Sequence, residues 1–170
     1  WRVCSVSDLN SPVVLRAYDQ FTDEEGFAIS AVTDEKWPTI KAKIETDSIK
    51  LAKIAKIPLG LILRSNAEFV SSQKDPSHPD VLVFGRDIAK YHAIKANHYF
   101  NKNTAIIVGG TKSKQIHNAK IKILIQTIRN LSLEDRIVAT LDENAYWFVG
   151  NANAVLLTDT AFDYSYLLGL

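Results

Sequence analysis

A glycine loop followed by hydroxyl and lysine side chains is the segment best suited to bind an anion. It consists of Gly109, Gly110, Thr111, Lys112, Ser113 and Lys114. Backbone N–H groups exposed by glycines, with lysine charges beside them, are the groups that hold phosphate in many proteins. The earlier glycine and the Gly-Lys-Ser/Thr ending of a nucleotide-binding P-loop are missing. We interpret the loop as a site for a small anionic ligand, and a plain solvated turn is the commoner use of such residues.

Lysines supply a second kind of chemistry, the neutralisation of nucleic-acid phosphates. The candidate nucleic-acid contacts are four lysines that lie close together in the sequence: Lys112, Lys114, Lys120 and Lys122. A longer lysine-rich stretch covers residues 41–56, but Glu45 and Asp47 interrupt it and it has no aromatic side chain for stacking on bases. A solvated helix face is the favoured interpretation of that stretch.

An arginine and a histidine form the candidate catalytic pair. Arg86 is followed by the polar Asp87, and His92 comes five residues after Asp87. This pattern resembles the Arg-polar-…-His motif of HEPN-type ribonucleases, and the resemblance covers seven residues. It implies that Arg86 binds a scissile phosphate and that His92 transfers a proton there without a metal ion. The apolar run before Arg86 departs from that all-helical family, and a surface arginine with a half-exposed histidine is the alternative.

Other side chains that do chemistry do not converge in the sequence. The histidines at 78, 92, 98 and 117 are not spaced at i, i+3 or i, i+4, so no helix would present two of them to a metal. We expect His92 and His98 to pack or to lie at the surface. The single cysteine, Cys4, has no basic neighbour beyond Arg2. We predict no metal site, no cofactor and no catalytic constellation, which inclines the interpretation away from an enzyme.

A strand and a helix predicted in the middle of the chain would position these groups. Asp80–Phe84 is an apolar run typical of a strand covered on both faces. Gly85 permits a sharp turn, and Asp87 suits the first turn of a helix. Small residues then recur at helical spacing as far as Phe100, and Thr104–Val108 is the next apolar run. The sequence predicts a strand–helix–strand unit, in which the two strands could also pair antiparallel.

The C-terminal part predicts an antiparallel β-meander built from Arg136–Leu141, Ala145–Val149 and Ala154–Thr158. Before it, Lys114–Leu131 has helical spacing, although residues 120–127 alternate as a strand does. Near the N-terminus we predict strands at residues 1–6 and 27–32. Residues 13–21 are a helix or a strand, with the helix preferred. Residues 33–57 contain helical structure, although their first half could be a strand. The fold class is therefore mixed α/β (α+β), as a single globular domain over residues 1–170 in which residues 1–32 could be an appendage.

Composition narrows the possible functions. Net charge is +1, which argues against a global attraction to nucleic acid or membrane. No signal-peptide pattern and no apolar run of about 20 residues is present. The chain of 170 residues begins at Trp1 and contains no methionine, which we interpret as a processed protein, an excised domain or a fragment.

One segment also resembles a known structural family. His78-Pro79-Asp80-Val81-Leu82-Val83-Phe84-Gly85-Arg86-Asp87-Ile88-Ala89-Lys90-Tyr91 is similar to the strand and helix of the axial domain in tailed-phage major capsid proteins. Residues 136–139 and 146–157 are similar to that family's closing hairpin. The resemblance, over about residues 78–158, implies a capsid-like structural protein that assembles as a homo-oligomer, in a virion or the cytoplasm.

Three functional hypotheses follow, and the first is self-assembly through subunit interfaces. The second is a nucleic-acid-binding protein or metal-independent ribonuclease that uses Arg86 and His92. The third is a small anionic-ligand-binding domain that uses the Gly109-Gly110 loop.

Overall fold

A computed structural model describes residues 2–3, 14–15, 36–46, 48–128 and 137–169. The chain divides into two compact units, Trp1–Ile49 and Lys50–Leu170. The single domain over residues 1–170 stays a prediction, and the predicted strand at 27–32 lies outside the described residues. In the described ranges, no helix has the length and apolar character needed to cross a bilayer.

Within its described residues, the first unit contains two short strands and a helix. Strand β1 (Arg2–Val3) pairs antiparallel with β2 (Val14–Leu15), so residues 14 and 15 follow the strand alternative and not the preferred helix. Helix α1 (Trp37–Thr46) carries an i, i+4 ion pair in which Lys41 Nζ lies 3.7 Å from Glu45 Oε1. This helix ends at Thr46 and residues 48–50 are not helical, so the lysines at 41–56 do not form one helical stripe.

The second unit is a mixed α/β structure, which confirms the predicted fold class. Its elements are α2 (Leu51–Ile54), β3 (Ala55–Lys56), β4 (Ile62–Leu63), α3 (Asn66–Phe69), β5 (Asp80–Val83), β6 (Tyr99–Phe100), β7 (Ile107–Gly109), α4 (Lys114–His117), β8 (Lys122–Gln126), β9 (Ala139–Asp142), β10 (Trp147–Phe148), β11 (Ala152–Leu157) and α5 (Tyr164–Gly169). The strands form sheets in the orders β10-β5-β6, β3-β11-β8-β9 and β4-β7.

The predicted central strand is confirmed as β5. Leu82 and Val83 are both 0% exposed and point to opposite sides of the strand. Leu82 packs with Leu61, Phe100 and Trp147, whereas Val83 belongs to a second core. Both faces of β5 are therefore covered, and this explains its unbroken apolar sequence.

The helix predicted after Gly85 is wrong. The chain makes a 3₁₀ turn at Gly85–Asp87 and then runs irregularly to β6. Backbone groups in this segment bond to distant residues: the Ile88 carbonyl accepts from Gln126 Nε2 at 2.9 Å, and the Tyr91 N–H donates to the Ala139 carbonyl at 3.2 Å. These long-range bonds replace the i to i−4 bonds that a helix would need.

Strand pairing around β5 also differs from the prediction. β5 pairs antiparallel with β6, through Asp80↔Phe100, and parallel with β10, through Trp147↔Leu82. The strand predicted at 104–108 is observed as β7, and its partner is β4. The strand–helix–strand unit is therefore replaced by a three-stranded sheet with β5 at its centre.

The strands predicted for the C-terminal meander are confirmed, but their predicted pairing is wrong. Strands β9, β10 and β11 lie near the predicted positions, although Arg136 lies outside the described residues. β9 pairs with β8 rather than with β10, and β8 also pairs with β11. Helix α4 ends at His117, so the alternating pattern at 120–127 was the better indicator there. Because both faces of β8 are covered, residues of both parities are buried.

Candidate functional site

A groove along β4 carries polar and cationic side chains. Its volume is about 470 Å³. The residues that line this β4 groove are Leu61, Ile62, Leu63, Arg64, Ser65, Asn66, Phe84, Val149, Gly150 and Asn151. Apolar residues of β4 and the β10–β11 connection lie on its inner side, and the polar side chains come from the start of α3 and from Asn151.

The corner that follows β5 forms one edge of the groove. The Gly85 N–H donates to Asn151 Oδ1 at 2.7 Å, and the Phe84 N–H donates to Asp87 Oδ2 at 2.8 Å. A Cβ on residue 85 would lie 2.5 Å from the Asn151 carbonyl oxygen, so the close approach requires glycine. These contacts fix the backbone from which Arg86 extends to solvent.

We expect Asn151→Ala to lower the free energy of unfolding by about 1–2 kcal/mol, because the buried Gly85 N–H would lose its acceptor. Asn151→Asp keeps an acceptor oxygen at that place and should cost less. Urea denaturation of both variants measures the difference. Equal losses would show that the Gly85–Asn151 hydrogen bond does not stabilise the corner.

Arg86 is held against an aromatic ring and a histidine. Its Cζ lies 5.3 Å from the centroid of the Phe84 ring, and its Nη2 lies 2.6 Å from His98 Nε2. The Phe84 and His98 rings are themselves 4.6 Å apart between centroids. The three side chains form a cluster, the Arg86 cluster, in which the guanidinium has two neighbours that restrict its orientation.

The hydrogen bond from Arg86 indicates which tautomer His98 adopts. Arginine can only donate, so Nε2 of His98 must accept and the ring proton must be on Nδ1. That Nδ1 lies 3.4 Å from Asp87 Oδ2, and the Asp87 side chain is 8% exposed. His98 therefore offers Nε2 as an acceptor to Arg86, and this contact leaves the positive charge of the guanidinium in place.

Arg64 lines the same groove but has a different environment. Its Nη2 lies 2.5 Å from Glu68 Oε1, an i, i+4 ion pair at the start of α3. Its Cζ also lies 5.5 Å from the centroid of the Phe69 ring. Within the described ranges, Arg86 has no such carboxylate partner, so its charge is more available to a ligand.

The Gly109–Lys114 loop is bonded to the same groove, since Gly109 pairs with Ile62 of β4. Gly110 has φ +67°, and a Cβ there would overlap the Gly60 carbonyl oxygen. The Thr111 N–H donates to the Leu59 carbonyl at 3.1 Å. The glycine and one N–H of the predicted anion loop thus serve packing against β4, while its use as an anion site stays a prediction.

The four candidate lysines have two different environments. Three of them are exposed: Lys112 before the one-turn helix α4, Lys114 at its first residue and Lys120 after it. Lys122 is 0% exposed, and its Nζ lies 2.7 Å from Asp142 Oδ2, which is also 0% exposed. Lys122 is therefore part of a buried ion pair and is not exposed on the proposed nucleic-acid surface.

A buried histidine lies beside that ion pair. The His117 ring is stacked on Trp147, with 4.3 Å between centroids, and its Nε2 lies 3.1 Å from the Thr111 carbonyl oxygen. Burial lowers the pKa of His117 to about 4, and the positive charge of Lys122 acts in the same direction. Burial also lowers the pKa of Lys122, against the opposing effect of Asp142.

The ribonuclease-like pair is not assembled. His92 is exposed, and in the described structure no hydrogen bond or ring contact joins it to Arg86. Across the described ranges, no three His, Cys, Asp or Glu side chains converge on a metal position. Sequence reasoning missed His98, which reaches Arg86 because β6 returns antiparallel along β5. A prediction of an antiparallel strand next to β5 would have placed His98 beside Arg86.

Comparison with known families gives an independent indication. A family model described as the TaqI-like C-terminal specificity domain matches residues 80–170, more than half of the chain. No curated protein matches the chain significantly. The family match shows that the resemblance to phage capsid proteins was wrong. The structure gives the physical reason, because neither the helix after Gly85 nor the closing hairpin of that resemblance is formed.

Proposed function

The chain belongs to the family of TaqI-like C-terminal specificity domains, and from that premise we propose that it is a DNA-binding recognition module. The single observation that carries the proposal is the match over residues 80–170, since a specificity domain of this kind points to DNA recognition in restriction–modification. This agrees with the nucleic-acid hypothesis rather than with self-assembly. The homo-oligomer stays a prediction.

The distribution of charge supports a local DNA contact. With a net charge of +1, affinity must come from a patch rather than from the whole chain. Lys112 and Lys114 are exposed in the loop that is paired with β4, and Lys120 is exposed after α4. Exposed cations on neighbouring elements are the arrangement that contacts successive phosphates.

We expect the full chain to bind duplex DNA with an affinity that falls steeply as salt rises, since each phosphate contact releases counterions. Replacing Lys112, Lys114 and Lys120 together by glutamine should weaken binding about tenfold or more at low salt. The same change should reduce the slope of log K against log salt by up to about three. Fluorescence anisotropy with labelled duplexes of mixed sequence measures both quantities.

A matched control carries the same loss of charge at exposed lysines elsewhere in the second unit: Lys53, Lys56 and Lys74 replaced by glutamine. It should retain most of the affinity. Equal weakening by both triple variants would mean that binding follows net charge and not this surface. If the unaltered chain binds no duplex at low salt, the proposed function is wrong.

A further inference from the structure

We propose that Arg86 reads a guanine base in the DNA major groove, and that Phe84 and His98 are positioning residues that hold it in the reading orientation. This inference rests on the proposed function and adds to it a specificity-determining residue and the base that it recognises. It is argued from the Arg86 cluster, in which Phe84 directly after β5, Arg86 in the following turn and His98 before β6 meet.

Orientation is the first requirement for reading a base. A bidentate contact to guanine O6 and N7 needs a planar guanidinium presented edge-on. Phe84 lies under Arg86, at 5.3 Å from Cζ to the ring centroid, and His98 Nε2 accepts from Nη2 at 2.6 Å. One edge of the fork is thus held by the protein, and the remaining N–H groups are left to donate to a base.

Retention of charge is the second requirement. A carboxylate partner would neutralise the guanidinium, as Glu68 does for Arg64. The acceptor that Arg86 meets is instead an imidazole nitrogen, Nε2 of His98. Asp87 faces the other ring nitrogen at 3.4 Å, and its Oδ2 also accepts from the Phe84 N–H at 2.8 Å. The carboxylate therefore supports the corner through the Phe84 N–H, and in the described residues no ion pair joins it to the arginine.

Location is the third requirement. Phe84 lines the β4 groove together with Asn151 and with Asn66, whose amide group is suited to a base edge. The Gly85–Asn151 hydrogen bond of 2.7 Å fixes the backbone next to Arg86. A reading side chain on a fixed corner loses less conformational entropy on binding than one on a mobile loop.

The test begins with selection of preferred sequences by the full chain from a randomised duplex pool. We expect one position at which guanine is preferred about tenfold, and replacement by 7-deazaguanine, which lacks the N7 acceptor, should remove that preference. Arg86→Lys keeps the charge but not the fork. It should abolish the preference at that position and leave both the affinity for unrelated duplexes and the salt slope unchanged.

The positioning role has its own variants. His98→Phe keeps a ring against Phe84 but removes the acceptor, and it should reduce the preference at the same position. His98→Gln restores an acceptor oxygen and should recover part of it. Arg64→Lys, an arginine in the same groove, is the matched control and should leave that position unaffected.

Each contrary result has a distinct meaning. Uniform weakening of all sequences by Arg86→Lys would mean that Arg86 contacts a phosphate, which overturns the inference. Binding without any sequence preference would also overturn it, while the DNA-binding function would stand. Failure of the unaltered chain to bind duplex DNA would overturn both.

Discussion

Replacing Asp142 by asparagine is expected to lower the free energy of unfolding by about 3–5 kcal/mol. Asp142 and Lys122 are both 0% exposed and lie 2.7 Å apart, so neutralising the carboxylate leaves a desolvated ammonium without its counter-charge. The asparagine would also lose one of the two carboxylate oxygens that accept the N–H groups of Asn144 and Tyr146, at 2.9 and 3.0 Å. Urea denaturation followed by tryptophan fluorescence measures the loss.

A second pair in the same unit serves as the control. Asp80 and Lys102 are also 2.7 Å apart, but their side chains are 17% and 34% exposed. Asp80→Asn should therefore cost clearly less than Asp142→Asn, because water solvates the remaining lysine. The double variant Lys122→Met/Asp142→Asn should recover part of the loss, since no unpaired charge remains. Equal costs at positions 80 and 142 would contradict the burial argument.

Acidification is expected to destabilise the protein through His117, by about 3 kcal/mol between pH 7 and pH 4. The pKa of the folded His117 is about 4, and the ordinary value of 6.5 applies to the unfolded chain. Between these two pH values the unfolded state holds the proton and the folded state does not, so stability rises with pH. The contribution is complete above pH 6.5 and is lost as pH falls towards 4, at up to about 1.4 kcal/mol per pH unit.

The measurement compares unfolding free energies at several pH values for the unaltered chain and for His117→Gln. The variant should have a smaller slope between pH 6.5 and pH 5, a range above the titration of most carboxylates. His92→Gln removes an exposed histidine and should retain the slope of the unaltered chain. Coinciding slopes for His117→Gln and the unaltered chain would show that His117 is not the group responsible. A background with Trp1→Phe and Trp37→Phe makes Trp147, which stacks on His117, the fluorescence probe.

The sequence predicted β5 well because its signal is local. The unbroken run of apolar residues from Val81 to Phe84 leaves few alternatives to a strand covered on both faces. The helix predicted after Gly85 rested on evenly spaced alanines, which are compatible with several structures. Bonds to Gln126 and Ala139 decided against it, and no local pattern contains that information.

Lys122 shows the same limit for individual side chains. In the sequence it is indistinguishable from the exposed lysines before it, and burial follows from a partner twenty residues later, Asp142. The sequence likewise identified only part of the candidate site. Arg86 was singled out in the sequence. However, its partner His98 lies 12 residues away along the chain, and Asn151 lies 66 residues from Gly85, which it contacts. A pairing at such separations depends on strand order, which the periodicity of one sequence does not determine.

The contact between Gly60 and the end of β10 shows which upstream residues such a domain needs in order to close its core. A Cβ on Gly60 would overlap the Val149 carbonyl oxygen, and the adjoining Leu61 is 0% exposed in the same core as Trp147. These upstream residues precede the stretch that the family match covers. A shortened chain that begins at residue 80 would lack these residues and leave that core open to water. An independently folding form of the domain would therefore have to include residues 54–63.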